Sequence, residues 1–263
     1  MLSGAGAVVA LILIEWVAGW VGAAAWTQSW GVVKRGHFRI TGWIVAALAV
    51  LAYVAADDAL SGLDATFVGA AVVVLGVACV LYMIVQYSRT DVPGAVLGAV
   101  AALGGLGALV AASSLVRSWP DALAAVTLVS GALLLGSVTN GMMLGHWYLN
   151  QPGLKPWALA RLSDLALASV VLSAVAGIAA AGFLTSASTE GAVLGLPGFG
   201  DSFSTIFFLA WLTTLALTGA VVWGARRCVK IRSIQSATGL FYAAVLAAGV
   251  SEFLVRYLMV NAT

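Results

Sequence analysis

Residues 121–147 read DALAAVTLVSGALLLGSVTNGMMLGHW. Among them Asp121, at the start, is the only Asp, Glu, Lys or Arg residue. About 20 apolar residues in an α-helix cross a hydrocarbon core roughly 30 Å thick, so this stretch is long enough to span a bilayer. Its apolar residues form a continuous run instead of alternating with polar ones, which distinguishes it from a strand of an outer-membrane barrel. The stretch therefore predicts a transmembrane helix.

The rest of the chain repeats this pattern. Seven further apolar runs lie near 5–29, 40–58, 65–87, 93–116, 157–184, 203–225 and 236–259. Of the 263 residues, 62% are hydrophobic and 8% are charged, whereas a soluble domain carries about 25% charged residues. This composition excludes a soluble globular domain, a disordered chain and a nucleic-acid-binding protein. We predict an all-α integral membrane protein of about eight transmembrane helices, with residues 1–263 forming a single bundle.

The distribution of basic residues predicts the orientation of the chain, because short cytoplasmic loops are enriched in Lys and Arg. Ten of the 12 Lys and Arg residues lie in or beside alternate connections between the apolar runs. We therefore place the basic loops 30–39, 88–92, 148–156 and 226–235 in the cytoplasm and both termini outside. The predicted location is the lipid bilayer of the cell's inner (cytoplasmic) membrane, crossed several times.

Ionisable residues inside the apolar runs are the first candidates for a site. Each costs roughly 2.5–3.5 kcal/mol at a helix centre on insertion scales, so each needs a partner, a cavity or a cofactor. Glu252 and Arg256 are four residues apart and share one helix face. At 1.5 Å per residue, Glu15 lies ~15 Å and Glu252 ~10 Å from the outer ends of their runs. If the first and last helices touch, the three form one cluster, either a structural ion pair or a quinone-headgroup or proton-path site.

The two histidines, His37 and His146, both fall on the predicted cytoplasmic side. Imidazole nitrogens are common axial ligands of haem, and Gly145 would let a flat macrocycle approach the backbone beside His146. One haem b held between His37 and His146 is therefore one possibility. The other interpretation makes His37 an interfacial loop residue and places His146 in an aromatic belt with Trp147 and Tyr148.

His146 also suits contact with a quinone. A neutral imidazole donates a hydrogen bond to a quinone carbonyl and can pass a proton, and Tyr148 would help to cover the quinone ring. Asp164 lies on the next helix at the same predicted side of the membrane and would tune the pKa of the imidazole. These three residues form a second candidate quinone site.

The last apolar run contains Glu252-Phe253-Leu254-Val255-Arg256-Tyr257-Leu258, a Glu-x-x-x-Arg pattern followed by aromatic and apolar residues. This run resembles the final helix of the membrane-anchor subunits of dimethyl-sulfoxide-reductase-type and polysulfide-reductase-type enzymes. Val17-Ala18-Gly19-Trp20 is similar to the glycine-containing first helix of that family. The likeness extends to eight spans, both termini outside, and a Gly-rich outer loop, residues 185–202, before the seventh helix.

The resemblance implies a role in electron transport. It implies a haem-free integral subunit that anchors iron–sulfur or molybdenum redox subunits of a respiratory-chain complex and oxidises or reduces menaquinone or ubiquinone. The family has a functional histidine near the outer end of its second helix, where this chain has Tyr53, Asp57 and Asp58. On this resemblance we expect a non-catalytic or quinone-reactive subunit of an oxidoreductase.

Two other functions remain open at this point. A small-solute or proton-coupled transporter is expected to show discontinuous helices or an inverted repeat. The sequence shows neither, since all five prolines lie at the ends of runs or in loops. A purely structural or assembly subunit would keep the turnover of its complex when Glu15, His146 and Glu252 are replaced by alanine.

Overall fold

The structure, a computed structural model, describes residues 2, 4–61, 65–116, 119–148, 150–151, 153–180 and 201–261, with only the backbone of 201–204. Within these ranges the chain forms eight α-helices and no strand. The helices are α1 (Gly4–Ser29), α2 (Arg35–Leu60), α3 (Thr66–Val85), α4 (Val92–Ser113), α5 (Asp121–Trp147), α6 (Trp157–Ala180), α7 (Asp201–Lys230) and α8 (Ile234–Asn261). The predicted all-α class is confirmed for this part of the chain.

All eight helices are long and apolar enough to cross a membrane. Their outward faces carry large apolar side chains: Phe67, Leu103 and Leu246 are 70%, 69% and 74% exposed. Monomeric soluble proteins rarely expose contiguous apolar surface on this scale. Length, composition and outward face are together those of a multi-pass membrane protein.

The predicted runs begin and end within five residues of the observed helices. The difference that matters is at α2, which begins at Arg35, so that the stretch predicted as a basic loop forms its first turn. Helix α6 is described only to Ala180. The end of its predicted run, and the predicted outer loop 185–202 up to residue 200, lie outside the described residues.

The helices form two four-helix bundles with the same order of contacts. In the first bundle α1 packs against α2 and α4, and α3 packs against the same two helices; in the second bundle α5, α6, α8 and α7 repeat this arrangement. The bundles meet where α1 packs against α5, and α1 contacts α8 as α5 contacts α4. Since three helices separate α1 from α5, both run in the same direction, and an approximate two-fold axis lies parallel to the helices. No segment of the sequence resembles another, so this repeat could not be predicted from the sequence.

Helices α1 and α5 approach until their backbones touch. A Cβ atom on Gly19 would overlap the carbonyl oxygen of Ala132, and a Cβ atom on Gly136 would overlap the backbone of Gly19. Small residues permit such approach in membrane helices. This crossing holds the two bundles together at mid-length.

The bundle has two chemically distinct ends. The connections after α1, α3, α5 and α7, together with the adjoining ends of the helices, carry ten of the 12 Lys and Arg residues, and we call this the basic end. The chain begins and ends at the opposite, terminal end, where the Gly4 backbone N–H donates to Asn261 Oδ1 at 3.4 Å. The side of the membrane on which each end lies stays a prediction.

Candidate functional site

Glu15, Glu252 and Arg256 meet between α1, α5 and α8. Arg256 Nε donates to Glu15 Oε1 at 2.6 Å, and Arg256 Nη2 donates to Glu252 Oε2 at 2.7 Å. Arg256 Nη2 also donates to the carbonyl oxygen of Thr127 in α5, at 2.9 Å. The three charged side chains are at most 1% exposed. The first and last helices do touch here, which is the condition under which the sequence allows this cluster, and the role of the cluster stays a prediction.

Helix α5 supplies the space for this charge cluster. A Cβ atom on Gly131 would overlap both Arg256 Nη2 and Glu252 Oε2. One helical turn earlier, Thr127 presents its carbonyl oxygen to the guanidinium. A glycine and a main-chain acceptor therefore let α8 bring two charged side chains against α5.

The cluster holds two carboxyl groups and one guanidinium. If both carboxyl groups were ionised, one negative charge would be uncompensated, and a buried uncompensated charge costs several kcal/mol. Charge balance therefore favours one proton held by the Glu15 and Glu252 pair. Glu15 Oε2, Glu252 Oε1 and Arg256 Nη1 are buried and have no hydrogen-bond partner among the described residues. A role for this proton in turnover stays a prediction.

A second buried polar network joins α1, α2 and α5 near the basic end. His37 Nε2 lies 3.3 Å from Asn140 Oδ1, and the His37 and Trp147 ring centroids are 6.0 Å apart. Asn140 Nδ2 donates to Thr27 Oγ1 at 2.8 Å and to the carbonyl oxygen of Ala23 at 3.2 Å. His37 is fully buried. The two residues are 103 positions apart in the sequence, and no spacing or motif predicts their contact.

The interpretation of His37 as an interfacial loop residue is wrong, because the basic stretch is one-sided. Arg35 turns outward and pairs with Asp91 at 2.7 Å. Gly36 lies against the Trp147 ring, which a Cβ atom at this position would overlap. The cations therefore face the surface of the first turn of α2 while the imidazole faces the interior.

His37, from α2, packs against one side of α5, whereas His146 projects from a different side of α5. His146 is exposed and lies six residues after Asn140, the contact of His37. Six residues correspond to a rotation of about 120° around the helix. A haem iron between two imidazoles requires both rings to face one gap, and the described residues do not fit a haem b between His37 and His146. Nor do the described residues contain a group of three or more His, Cys, Asp or Glu side chains that could hold a metal ion.

Tyr148 and Asp164 use their polar groups within the protein. The Tyr148 hydroxyl donates to the carbonyl oxygen of Lys155 at 2.7 Å. Burial raises the pKa of Tyr148 to about 12, so the hydroxyl stays protonated at neutral pH. Asp164 accepts two hydrogen bonds from Arg226, at 2.7 and 3.2 Å. His146 is exposed, whereas Tyr148 and Asp164 are each bonded to other residues. No described contact joins these three predicted quinone contacts at the basic end.

A groove between α2 and α3 contains Tyr53 and Asp57. Its inner part has a volume of about 410 Å³ and, apart from Tyr53, is lined by apolar side chains and a glycine, including Val50, Val77 and Leu81. Its outer part, toward the terminal end, has a volume of about 330 Å³ and is lined by Asp57, among others. Tyr53 lines both parts, so the groove is continuous.

This groove opens on the apolar outer surface, where Val50 and Val77 are 57% and 55% exposed. Tyr53 and Asp57 are four residues apart and therefore lie on one face of α2. Their spacing was the only signal of the groove in the sequence. The apolar wall from α3 could not be assigned without knowing which helix packs there.

No protein-family model, no curated protein and no solved structure matches this chain. The described residues define the class of protein by themselves: a bundle of eight membrane-length helices with a buried charge cluster.

The Asn140 network leads to a stability prediction. Asn140→Ala is expected to lower the free energy of unfolding by about 1–3 kcal/mol, because His37 then lacks its buried partner. The measurement is unfolding of the purified protein in mixed detergent and SDS micelles, followed by tryptophan fluorescence. Asn150→Ala removes an exposed amide and is the control. Equal unfolding curves for the two variants would contradict the prediction.

Proposed function

We propose that this chain is a membrane-integral subunit that exchanges electrons and protons with a quinone bound in the α2–α3 groove. The proposal rests on the shape of this groove: its apolar part opens on the apolar outer surface and continues into a polar end formed by Tyr53 and Asp57. Ligand sites combine mostly apolar walls with a few placed polar groups. A quinone, with its apolar tail and two ring carbonyls, has the matching division.

The two polar side chains have separate roles in this proposal. A bound quinone takes up two electrons and two protons when it is reduced. Tyr53 positions the ring by donating a hydrogen bond to a carbonyl oxygen. Asp57, which is exposed near the terminal end, relays a proton between the groove and water. The cluster of Glu15, Glu252 and Arg256 is proposed to hold a further proton within the bundle.

The electrons are proposed to pass through a partner subunit. The resemblance described above supports an iron–sulfur or molybdenum subunit, and the position of Asp57 favours docking at the terminal end. The proposed quinone is menaquinone or ubiquinone. In this proposal the protein lies in the inner (cytoplasmic) membrane with the basic end in the cytoplasm, as the basic connections favour.

The repeated bundles favour a second candidate, a proton-coupled transporter. Transporters built from repeats bind substrate near the interface between them, and the charge cluster lies where α8 of one bundle meets α1 of the other. The backbone contact between Gly19 and Gly136 closes that interface at mid-length. This contact favours the quinone function over transport.

Binding of a short-chain quinone to the detergent-purified protein tests the proposal. Equilibrium dialysis against short-chain menaquinone and ubiquinone analogues measures the dissociation constant. Tyr53→Phe is expected to weaken binding by about 2–10-fold, the equivalent of one hydrogen bond of about 0.5–1.5 kcal/mol. Asp57→Asn is expected to slow quinone reduction in the assembled complex.

Two matched variants serve as controls. Tyr242→Phe removes the hydroxyl of a tyrosine on α8 that is 49% exposed, close to the 45% of Tyr53. Asp58→Asn neutralises the neighbouring carboxyl group, and Asp58, unlike Asp57, does not line the groove. Binding that is lost equally in Tyr53→Phe and Tyr242→Phe would place the quinone elsewhere. Absence of quinone binding by the wild type, with a change of internal pH when solutes are added to proteoliposomes, would favour transport.

A further inference from the structure

A second groove, of about 350 Å³, lies between α4 and α6. Both helices pack against α5 but form no helix interface with each other, so the space between them is open to the side. Small residues of α1 form its floor, and Leu106, Leu133 and Leu165 contribute to its walls. The groove is apolar along its whole length. It lies elsewhere in the bundle than the α2–α3 groove and has no polar end like the one that Asp57 forms there.

The floor follows one stripe of α1. Ala18, Gly22 and Trp26 recur at every fourth residue and therefore lie along one side of α1, and Trp30 follows at the same spacing just beyond the end of the helix. The small members are near the middle of α1, and the two indole rings, with centroids 4.9 Å apart, are near its basic end. The stripe is ~18 Å long at 1.5 Å per residue, close to half of a ~30 Å hydrocarbon core.

A matching stripe runs along α6. Leu165 lines the groove, Arg161 lies one turn closer to the basic end, and Trp157 one turn beyond Arg161. The Arg161 guanidinium carbon is 4.6 Å from the centroid of the Trp157 ring and 5.5 Å from that of Trp30. The two rings hold the cation one helical turn from Leu165, on the side of the groove toward the basic end, since a guanidinium is attracted to an aromatic face.

The charge of Arg161 is not neutralised within the described part of the protein. Its side chain is exposed and forms no ion pair there. The carboxyl group three residues further along α6, Asp164, is already held by Arg226 through two hydrogen bonds. A cation with aromatic support therefore stands over an apolar groove one leaflet deep.

We propose that this groove binds an anionic phospholipid, with an acyl chain along the α1 stripe and the phosphate at Arg161. Arginine is suited to phosphate because its planar donors bind two oxygens at once. Indole rings favour the level of the headgroups, where Trp26, Trp30 and Trp157 would lie. The inference is independent of the quinone proposal, because it uses another groove at the other end of the bundle.

Native mass spectrometry of the delipidated protein tests the site with phosphatidylglycerol and phosphatidylcholine of the same acyl chains. The wild type is expected to bind phosphatidylglycerol more tightly. Arg161→Gln is expected to reduce that preference about fivefold, which corresponds to the ~1 kcal/mol of one basic residue near an anionic headgroup. Arg227→Gln is the matched control, because Arg227 is also exposed and lies over a ring, that of Trp223, at 5.3 Å outside the groove.

A groove-filling variant tests the acyl-chain part separately. Leu165→Trp is expected to weaken binding of both phospholipids, while Leu172→Trp, at a position on α6 that is 42% exposed, leaves it unchanged. Equal losses in Arg161→Gln and Arg227→Gln would show general surface attraction and overturn the proposal. Equal binding of the two phospholipids by the wild type would also overturn it. So would a short-chain quinone that displaces phosphatidylglycerol from the wild type.

Discussion

Replacing Arg256 with methionine is expected to lower the free energy of unfolding by about 3–5 kcal/mol, because both carboxyl groups then remain buried without a cation. Glu15 and Glu252 each depend on this guanidinium for their ion pair, at 2.6 and 2.7 Å. Unfolding in mixed detergent and SDS micelles, followed by tryptophan fluorescence, measures the loss. The side-chain volumes of arginine and methionine differ moderately, so most of the effect is electrostatic.

A charge-neutral triple variant separates the electrostatic loss from a packing defect. Glu15→Gln, Glu252→Gln and Arg256→Met together remove all three charges, and replacing a complete buried ion cluster is often neutral or stabilising. The triple variant is therefore expected to recover most of the stability lost in Arg256→Met. Arg226→Met is the surface control, since its ion pair with Asp164 is partly exposed and such pairs contribute about 0–1 kcal/mol. If Arg256→Met unfolded like Arg226→Met, the cluster would not be a buried ion pair.

The same triple variant distinguishes a structural cluster from one that handles protons. A stable triple variant that keeps quinone turnover and proton uptake shows that the three residues only hold α1, α5 and α8 together. A stable triple variant that keeps quinone binding but loses proton uptake shows that the proton stored by Glu15 and Glu252 is used in turnover. Either result is interpretable because the binding of quinone involves other residues, Tyr53 and Asp57.

The sequence predicted the eight helices, and the residues that could form a charge cluster, for physical reasons that act locally. A run such as 121–147 can lie in only one kind of environment, and its length determines the helix. Glu15 could not stay unpaired in an apolar run, and Glu252 with Arg256 offered the complementary charges on one helix face. The sequence thus predicted that Glu15 needs a partner and that Glu252 with Arg256 could supply one, but the contact between α1 and α8 that brings them together was only a condition of that prediction.

Features that depend on which helix packs where could not be predicted. His37 has basic neighbours in sequence, and only its packing against Asn140 of α5 shows that it is buried. The α2–α3 groove needs a wall from α3. Arg161 of α6 contacts Trp30, although four helices lie between these two residues in the sequence. The two-fold repeat is a property of helix order and contacts, and it leaves no trace in residue identity.

Gly19→Ala is expected to be the most disruptive alanine substitution among the described glycines. The new Cβ atom would overlap the carbonyl oxygen of Ala132, which belongs to a helix backbone and cannot rotate away. Overpacking with a side chain costs about 1–3 kcal/mol, and this contact is expected to exceed that range because α1 and α5 must separate. The loss is measured by SDS unfolding and by the monodisperse yield after size-exclusion chromatography.

Gly107→Ala is the control for Gly19→Ala. Both glycines lie inside a helix, but a Cβ atom on Gly107 meets nothing within 4 Å, so the change should be neutral or stabilise the protein by about 0.5–1 kcal/mol. Gly19 also follows Glu15 by one turn of α1, and separating α1 from α5 moves Glu15 relative to Arg256. Gly19→Ala should therefore make the later replacement of Arg256 by methionine less costly than it is in the wild type. Independent, additive losses would show that the α1–α5 crossing and the charge cluster are not coupled.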